Sequence, residues 1–239
     1  MTSMNMNRHL KSVARTSCTV LMAAFGATQL MADHTPQARL QAATEVLSEI
    51  MAAPDKGIPQ DLLDKAHCIV IVPGLKKGAF IVGAKYGRGF VSCRCNPHSW
   101  SAPGAVRMEG GSFGFQIGAS ETDVILLVMN ARGADRLLSS QFTLGGEGDV
   151  AAGPVGRSAT AQTDALMTAE ILSWSRSRGV FAGISLQGAT LRQDLDANQV
   201  LYGRRIENRD IVRHGIAPPS AASSLLSVLN KYSSAGAKS

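Results

Sequence analysis

The sequence lacks the motifs that identify nucleic-acid-binding proteins and several large classes of enzyme. It contains no RNP-type aromatic motif, no helix-turn-helix pattern and no long run of lysine and arginine, which argues against nucleic-acid binding. It also contains no P-loop. Gly146 and Gly148 have the spacing of a dinucleotide-binding loop, but Pro154 follows where that fold requires a long helix. We therefore expect neither catalytic residues nor a cofactor.

Charge is absent from residues 16–32, which follow directly after a segment that contains Arg8, Lys11 and Arg15. A basic segment followed by an apolar one is typical of a secretory signal peptide. The densest apolar part is shorter than the about 20 residues that span a bilayer. We expect residues 1–32 to be a cleaved signal peptide, with an uncleaved anchor as the alternative. The protein is then exported, periplasmic or secreted, or peripheral to the envelope membrane.

Half of the excess positive charge lies in this first segment. The whole sequence has 24 Lys and Arg against 18 Asp and Glu, which gives a formal net charge of +6. Without the three basic residues of residues 1–32, the net charge falls to +3. The basic isoelectric point is therefore a weak argument for a nucleic-acid partner. The length of the remainder favours one domain with one substantial core.

Three cysteines, Cys68, Cys93 and Cys95, follow the predicted signal peptide, and an odd number leaves at least one thiol unpaired in a monomer. On one strand, Cys93 and Cys95 would have Cα atoms about 6.6 Å apart, near the upper limit for a disulfide. A bond from Cys68 to either of them is easier to form. Together with His67 and His98 the cysteines could also bind zinc, but C-x-x-C spacing is missing. Buried thiols are therefore preferred to a metal site.

The apolar pattern predicts a single α+β domain with a mainly antiparallel, glycine-rich β-sheet and a few packed helices. Thr35-Pro36 is typical of a helix start, and apolar residues then recur at helical spacing up to Pro54. A buried strand over residues 68–72 is predicted to end at Pro73-Gly74. The other predicted strands are 79–84, 89–94, 112–117, 124–129, 170–176 and 180–186, and the other predicted helices are 58–65, 131–139, 194–202 and 220–232.

Four blocks of sequence, in the same order along the chain, resemble the SYLF domain. The blocks are GGSFGFQIG at residues 110–118, TDVILLV at 122–128, AAGPVGR at 151–157 and SWSRSRGVFAG at 173–183. Further matches are Trp100-Ser101-Ala102-Pro103, Asn198 and Tyr202-Gly203. The resemblance covers about residues 38–204. It departs from the family pattern at Trp174, where tyrosine is usual, and at Cys95, which is an addition.

The resemblance implies a non-catalytic lipid-binding domain over residues 33–215, followed by a C-terminal helix and flexible tail over residues 216–239. Eukaryotic members bind phosphoinositides beside Src-homology or FYVE modules, fungal relatives are described as binding actin, and bacterial relatives are exported and described as lipid-binding. For an exported protein, the property that carries over is affinity for anionic phospholipid or a membrane surface. A protein partner is unknown. The alternatives are an envelope scaffold or protein-interaction domain and, less favoured, a metal-dependent hydrolase.

Two groups of basic residues are candidates for contact with lipid phosphates, which requires cationic side chains beside apolar surface. The first group is Lys76, Lys77, Lys85 and Arg88, and the second is Arg157, Arg176 and Arg178. The first group flanks the apolar run at residues 79–82, where a loop or hairpin would present paired lysines. The second supplies bidentate phosphate donors near glycine-rich turns. Ordinary solvated charge is the alternative for both, and the first helix is expected to pack on the sheet.

Overall fold

The structure is a computed structural model that describes residues 35–53, 57–79, 82–96, 99–113, 118–153, 169–177, 180–181 and 186–233. The predicted signal peptide lies outside these residues, as do His98, Arg157 and Arg178. In the ranges just given, no helix is both long and apolar enough to cross a membrane.

Ten strands of the described chain form one sheet. They are β1 (Cys68–Ala79), β2 (Val82–Asn96), β3 (Ser99–Trp100), β4 (Gly104–Phe113), β5 (Gly118–Val128), β6 (Gln141–Thr143), β7 (Val150–Ala152), β8 (Ile171–Ser177), β9 (Val180–Phe181) and β10 (Thr190–Gln193). The order is β6-β10-β4-β2-β1-β5-β8-β7, with β3 paired to β2 and β9 to β8. The pair β7–β8 is parallel, and the other pairs of described strands are antiparallel. The predicted α+β class with a mainly antiparallel sheet is confirmed.

Helices cover part of this sheet, and five of the six in the described residues begin within three residues of the predicted start, whereas the helix Asn208–Arg213 was not predicted. They are α1 (Pro36–Ala52), α2 (Gln60–Lys65), α3 (Ala131–Leu137), α4 (Leu195–Tyr202), α5 (Asn208–Arg213) and α6 (Ser223–Tyr232). Thr35 caps α1, since its Oγ1 accepts a hydrogen bond from the Ala38 N–H at 3.1 Å. Asp194 caps α4 in the same way, with its Oδ1 3.1 Å from the Ala197 nitrogen.

The prediction that β1 ends at Pro73-Gly74 is wrong, because the strand continues to Ala79. The two residues lie in a β-bulge, at which the pairing of β1 with both β2 and β5 shifts register. Pro73 lacks an N–H, and a bulge is where a strand tolerates that loss. Gly74 has a φ of +57°, and its N–H donates to Asp123 Oδ1 at 3.0 Å.

The strands predicted at residues 79–84 and 89–94 are also corrected, since residues 82–96 form the single strand β2. Gly89, the first residue of the strand predicted at 89–94, lies in the middle of β2. A Cβ on Gly89 would collide with the carbonyl oxygen of Ile71, so only glycine allows this close approach of β1 and β2. Ala79 lies opposite Gly83, so β1 and β2 form the predicted hairpin.

Two hydrophobic cores lie on opposite faces of the sheet. The first core contains Leu40, Leu47 and Ile50 of α1, Leu225 and Leu229 of α6, and Ile71, Ile125 and Trp174 of the sheet. The second contains Val70, Leu126, Phe142, Leu191 and residues of α3. The prediction that the first helix packs on the sheet is confirmed, because the three α1 side chains named above are fully buried. Each buried aliphatic side chain contributes about 1.5–3 kcal/mol.

The central strands β1 and β5 divide into an inner half and an outer half. In the inner half, residues 68–72 and 124–128, every side chain is at most 1% exposed, because both cores meet there. In the outer half, residues 75–79 and 118–123, exposed residues include Lys76, Ser120 and Glu121. The predicted lysines Lys76 and Lys77 therefore lie in the more exposed half of β1.

The cysteine alternatives are resolved by a disulfide between Cys68 and Cys93, which lie opposite each other on β1 and β2. Neither is a free thiol or a metal ligand. Cys95 is exposed and forms no disulfide. Among the residues that the structure describes, no group of three His, Cys, Asp or Glu side chains could hold a metal ion.

Candidate functional site

Members of both predicted basic groups line one depression at the outer half of β1 and β5, which we call the lysine groove. It has a volume of about 860 Å³. Its lining residues are Lys76, Lys77, Gly78, Ala119, Ser120, Glu121, Asp123, Arg176 and Ser177. The groove thus brings Lys76 and Lys77 of the first group together with Arg176 of the second.

Cross-strand pairing sets the surroundings of the two groove lysines. Lys76 lies opposite Glu121 and Tyr86, whereas Lys77 lies opposite Ser120 and Lys85. Residues directly opposite each other project from the same face of a sheet, and neighbours along a strand project from opposite faces. Lys76 and Lys77 therefore occupy opposite faces, and Lys76 is exposed whereas Lys77 is half-buried.

Lys85 is set back from the surface, with only 7% of the residue exposed. Burial lowers the pKa of Lys85 below its ordinary value, and the positive charge of Lys77 lowers it further. Lys85 adds positive potential behind Lys77, while Lys76 and Lys77 are the groove lysines that a ligand reaches first.

Arg176 joins three elements and is already paired. Its Nη2 lies 2.5 Å from Glu49 of α1 and 3.2 Å from Asp123 of β5, and its side chain is 13% exposed. Burial alone would lower the pKa of Arg176, but the hydrogen bonds and charges of the two carboxylates raise it above its ordinary value. A phosphate would have to compete with both carboxylates for this guanidinium.

Arg88 lies apart from the lysine groove, on the same sheet face as Lys76. It is opposite Arg107 of β4, which is opposite Arg192 of β10, and we call these three residues the arginine row. Arg88 Nε donates to the Tyr86 hydroxyl at 2.6 Å, and this hydrogen bond raises the pKa of Arg88 against the lowering effect of burial. Sequence reasoning missed Arg107 and Arg192, because the pairing of β4 with β10 is not visible in the sequence.

A larger depression, of about 1120 Å³, lies beside α3 and is a poorer match for an anion. Its charged lining residues are Arg132, Arg136, Asp135, Glu147, Asp149 and Glu170. Arg136 is paired with Glu170 at 3.0 Å. Carboxylates outnumber guanidiniums in this lining, so the electrostatic potential disfavours an anionic ligand.

Comparison with known proteins identifies one family. The Ysc84 family model, described as "Las17-binding protein actin regulator", matches residues 109–232. The chain is 33% identical over 190 residues to SH3 domain-containing YSC84-like protein 1 of Rattus norvegicus, covering 79% of the chain and 55% of that protein. It is 35% identical over 179 residues to LAS seventeen-binding protein 3 of Saccharomyces cerevisiae, covering 73% and 39%. For Protein YSC84 of the same yeast, the identity is 34% over 179 residues, covering 73% and 38%.

The matched region is only part of these relatives. The chain spans about half or less of the length of each of the three proteins. Their names describe binding or SH3-domain-containing proteins and not enzymes.

Proposed function

We propose, from the premise that this chain belongs to the Ysc84 family of SYLF domains, that it is a non-catalytic module binding anionic phospholipid membranes. The observation that carries the proposal is the position of Lys76 and Lys77 in the outer half of β1. In the described lining of the groove they lie beside the small residues Gly78 and Ala119, which leave room for a ligand. Because Lys76 and Lys77 project from opposite faces of β1, lipid phosphates would reach both ammonium groups from the outer end of the strand.

The charge of the groove supports weak, reversible binding. Three basic side chains line it against Glu121 and Asp123. Each basic residue near an anionic surface contributes about 1 kcal/mol, so Lys76 and Lys77 together contribute about 2 kcal/mol. Since these lysines are at the surface, salt should screen their attraction within a Debye length of about 10 Å at 0.1 M.

Vesicle co-sedimentation tests the proposal with protein that begins at residue 33. We expect binding to phosphatidylglycerol vesicles at low salt and much weaker binding to phosphatidylcholine vesicles. The double variant Lys76→Glu/Lys77→Glu should lower the affinity by about 30-fold or more, since about 2 kcal/mol is lost and repulsion is added.

A matched control has the same charge change at a distance from the groove. Lys65→Glu/Lys231→Glu alters two exposed lysines on α2 and α6 and should retain most of the binding. Equal loss in both double variants, or no binding of the unmodified protein to either vesicle, would refute the proposal.

A protein partner is the second candidate, and the printed names of the relatives favour it. One relative is named for binding Las17. Because the chain spans 39% of that protein, this binding need not reside in the matched region. Native mass spectrometry of protein purified from its own cells separates the candidates, since a bound lipid and a bound polypeptide add different masses.

Export is part of the proposal. The charge pattern of residues 1–32 supports it, and so does the Cys68–Cys93 disulfide, because structural disulfides are rare in reducing compartments. Fractionation and intact-mass measurement should find protein that begins near Asp33 outside the cytoplasm. Recovery of the full-length chain in the cytoplasm alone would contradict export.

A further inference from the structure

We infer that the arginine row, formed by Arg88, Arg107 and Arg192, is a binding site for phosphate groups separate from the lysine groove. The three residues lie directly opposite one another on β2, β4 and β10. Neighbouring strands are about 4.8 Å apart, so the row spans about 10 Å. All three project from the face on which Phe90 and Ala105 enter the first core, at the border of that core.

The contacts of the arginine row with the described part of the protein do not involve its terminal Nη groups, which are the best donors to a phosphate. Arg88 Nε bonds to Tyr86 and lies 3.6 Å from Asp194. Glu109 lies 3.0 Å from Arg107 Nε and 3.7 Å from Arg192 Nε. In each contact the nearest nitrogen is Nε, but only Arg88 Nε makes a hydrogen bond, whereas the buried Nε atoms of Arg107 and Arg192 have an ion-pair contact and no hydrogen-bond partner among the residues described. Within the described residues, no acceptor is found for the terminal Nη groups of the row.

The other arginines with described contacts differ in this respect. Arg94, Arg136, Arg176, Arg205, Arg209 and Arg213 donate from Nη atoms to carboxylates or carbonyl oxygens of the protein. In the row, by contrast, the contacts with carboxylates and with Tyr86 are made through Nε, and no hydrogen bond from a terminal nitrogen to a described residue is present. Side-chain exposures of 45%, 38% and 42% for Arg88, Arg107 and Arg192 make those nitrogens accessible.

Guanidinium chemistry identifies the class of ligand. Paired N–H groups match phosphate oxygens in bidentate geometry, which a lysine ammonium does not reproduce. Adjacent guanidiniums repel one another, and Glu109, Asp194 and the more distant Asp196, which also pairs with Arg205, offset this repulsion only in part. Arg39 of α1 adds to the excess, because its pKa is lowered by burial and then by the nearby charge of Arg88. A ligand that carries phosphate groups would relieve this repulsion.

The ligand can be a soluble phosphate compound or a lipid head group, and the site does not depend on the proposed membrane function. Two probes distinguish these sources. Inorganic pyrophosphate, titrated by calorimetry, reports soluble binding. Vesicles with phosphatidic acid or phosphatidylglycerol at equal surface charge report head-group binding, because phosphatidic acid exposes a phosphomonoester with more free oxygens for the guanidiniums.

The test uses variants that remove bidentate geometry or charge. Arg107→Gln/Arg192→Gln should weaken pyrophosphate binding, or the preference for phosphatidic acid, by at least about tenfold. Arg107→Lys/Arg192→Lys keeps the charge and should still lose most of that preference, which a purely electrostatic surface would retain. This lysine variant also tests the inference if the glutamine variant fails to fold.

The controls decide between this site and the lysine groove. Arg132→Gln/Arg204→Gln removes two exposed arginines elsewhere and should leave phosphate binding unchanged. Lys76→Glu/Lys77→Glu should lower the affinity for both kinds of anionic vesicle. It should leave the preference for phosphatidic acid over phosphatidylglycerol intact. Binding of pyrophosphate alone, of phosphatidic acid alone, or of both supports the site and names the source. No saturable binding to either probe, or equal loss in the arginine control, overturns the inference.

Discussion

The inner and outer halves of the same strands differ in burial, and the proposed binding residues belong to the outer half. Residues 68–72 of β1 are buried by a core on each face, while the exposed Lys76 and the half-buried Lys77 follow Leu75, the last core residue of this strand. The bulge at Pro73-Gly74 lies between the two halves of β1. Substitutions in the inner half should therefore change folding, and substitutions in the outer half should change binding.

The largest expected effect is in the inner half of β5. Ile125 is fully buried in the first core, so Ile125→Ala should lower the free energy of unfolding by about 2–5 kcal/mol. Ser120→Ala in the exposed outer half should change it by less than about 0.5 kcal/mol. Urea unfolding followed by circular dichroism measures both. If both substitutions lowered the free energy of unfolding by comparable amounts, the difference between the inner and outer halves would be contradicted.

A pair of glycines sharpens the comparison. Gly89→Ala places a methyl group against the carbonyl oxygen of Ile71 and should destabilise the protein by about 1–3 kcal/mol. A Cβ on Gly78, in the outer half, would meet no atom within 4 Å, so Gly78→Ala should be neutral or stabilise by up to about 1 kcal/mol. Thermal unfolding of the two variants decides this, and a destabilising Gly78→Ala would contradict it.

The smallest effect concerns the pH dependence of stability near Lys85. Burial lowers the pKa of Lys85 in the folded state, so the unfolded chain binds more protons than the folded one between that pKa and the ordinary lysine pKa of about 10.4. The free energy of unfolding should therefore gain a positive slope with pH in this window. Lys85→Gln should remove this positive contribution to the slope. If the free energies of unfolding of the two proteins differ by the same amount at every pH in the window, the prediction is refuted.

Local sequence signals predicted much of the fold. Thr35 and Pro36 mark the start of α1 as expected, and the buried faces of α1 and α6 follow from helical spacing. Strand ends were less predictable, because Pro73 and Gly74 look like a terminus but form a bulge inside β1. A proline signal alone does not reveal whether neighbouring strands continue past it.

The candidate sites depended on contacts between distant residues. The hairpin that pairs Lys77 with Lys85 is local and could be predicted. Arg107 and Arg192 are 85 positions apart in the sequence, and only the β4–β10 pairing makes them neighbours. Arg176 was predicted as a phosphate donor, whereas its partner Glu49 comes from a helix whose position on the sheet the sequence does not specify.

The Cys68–Cys93 bond also determines how the protein would respond to proteolysis. The bond closes a covalent ring that contains the whole connection between β1 and β2, including Lys76, Lys77 and Arg88. A protease that cut the chain once within this ring would not release either fragment, because the two pieces would remain one molecule. Dissociation would require both a cut and a reductant, so an oxidising environment would protect the hairpin from a single break.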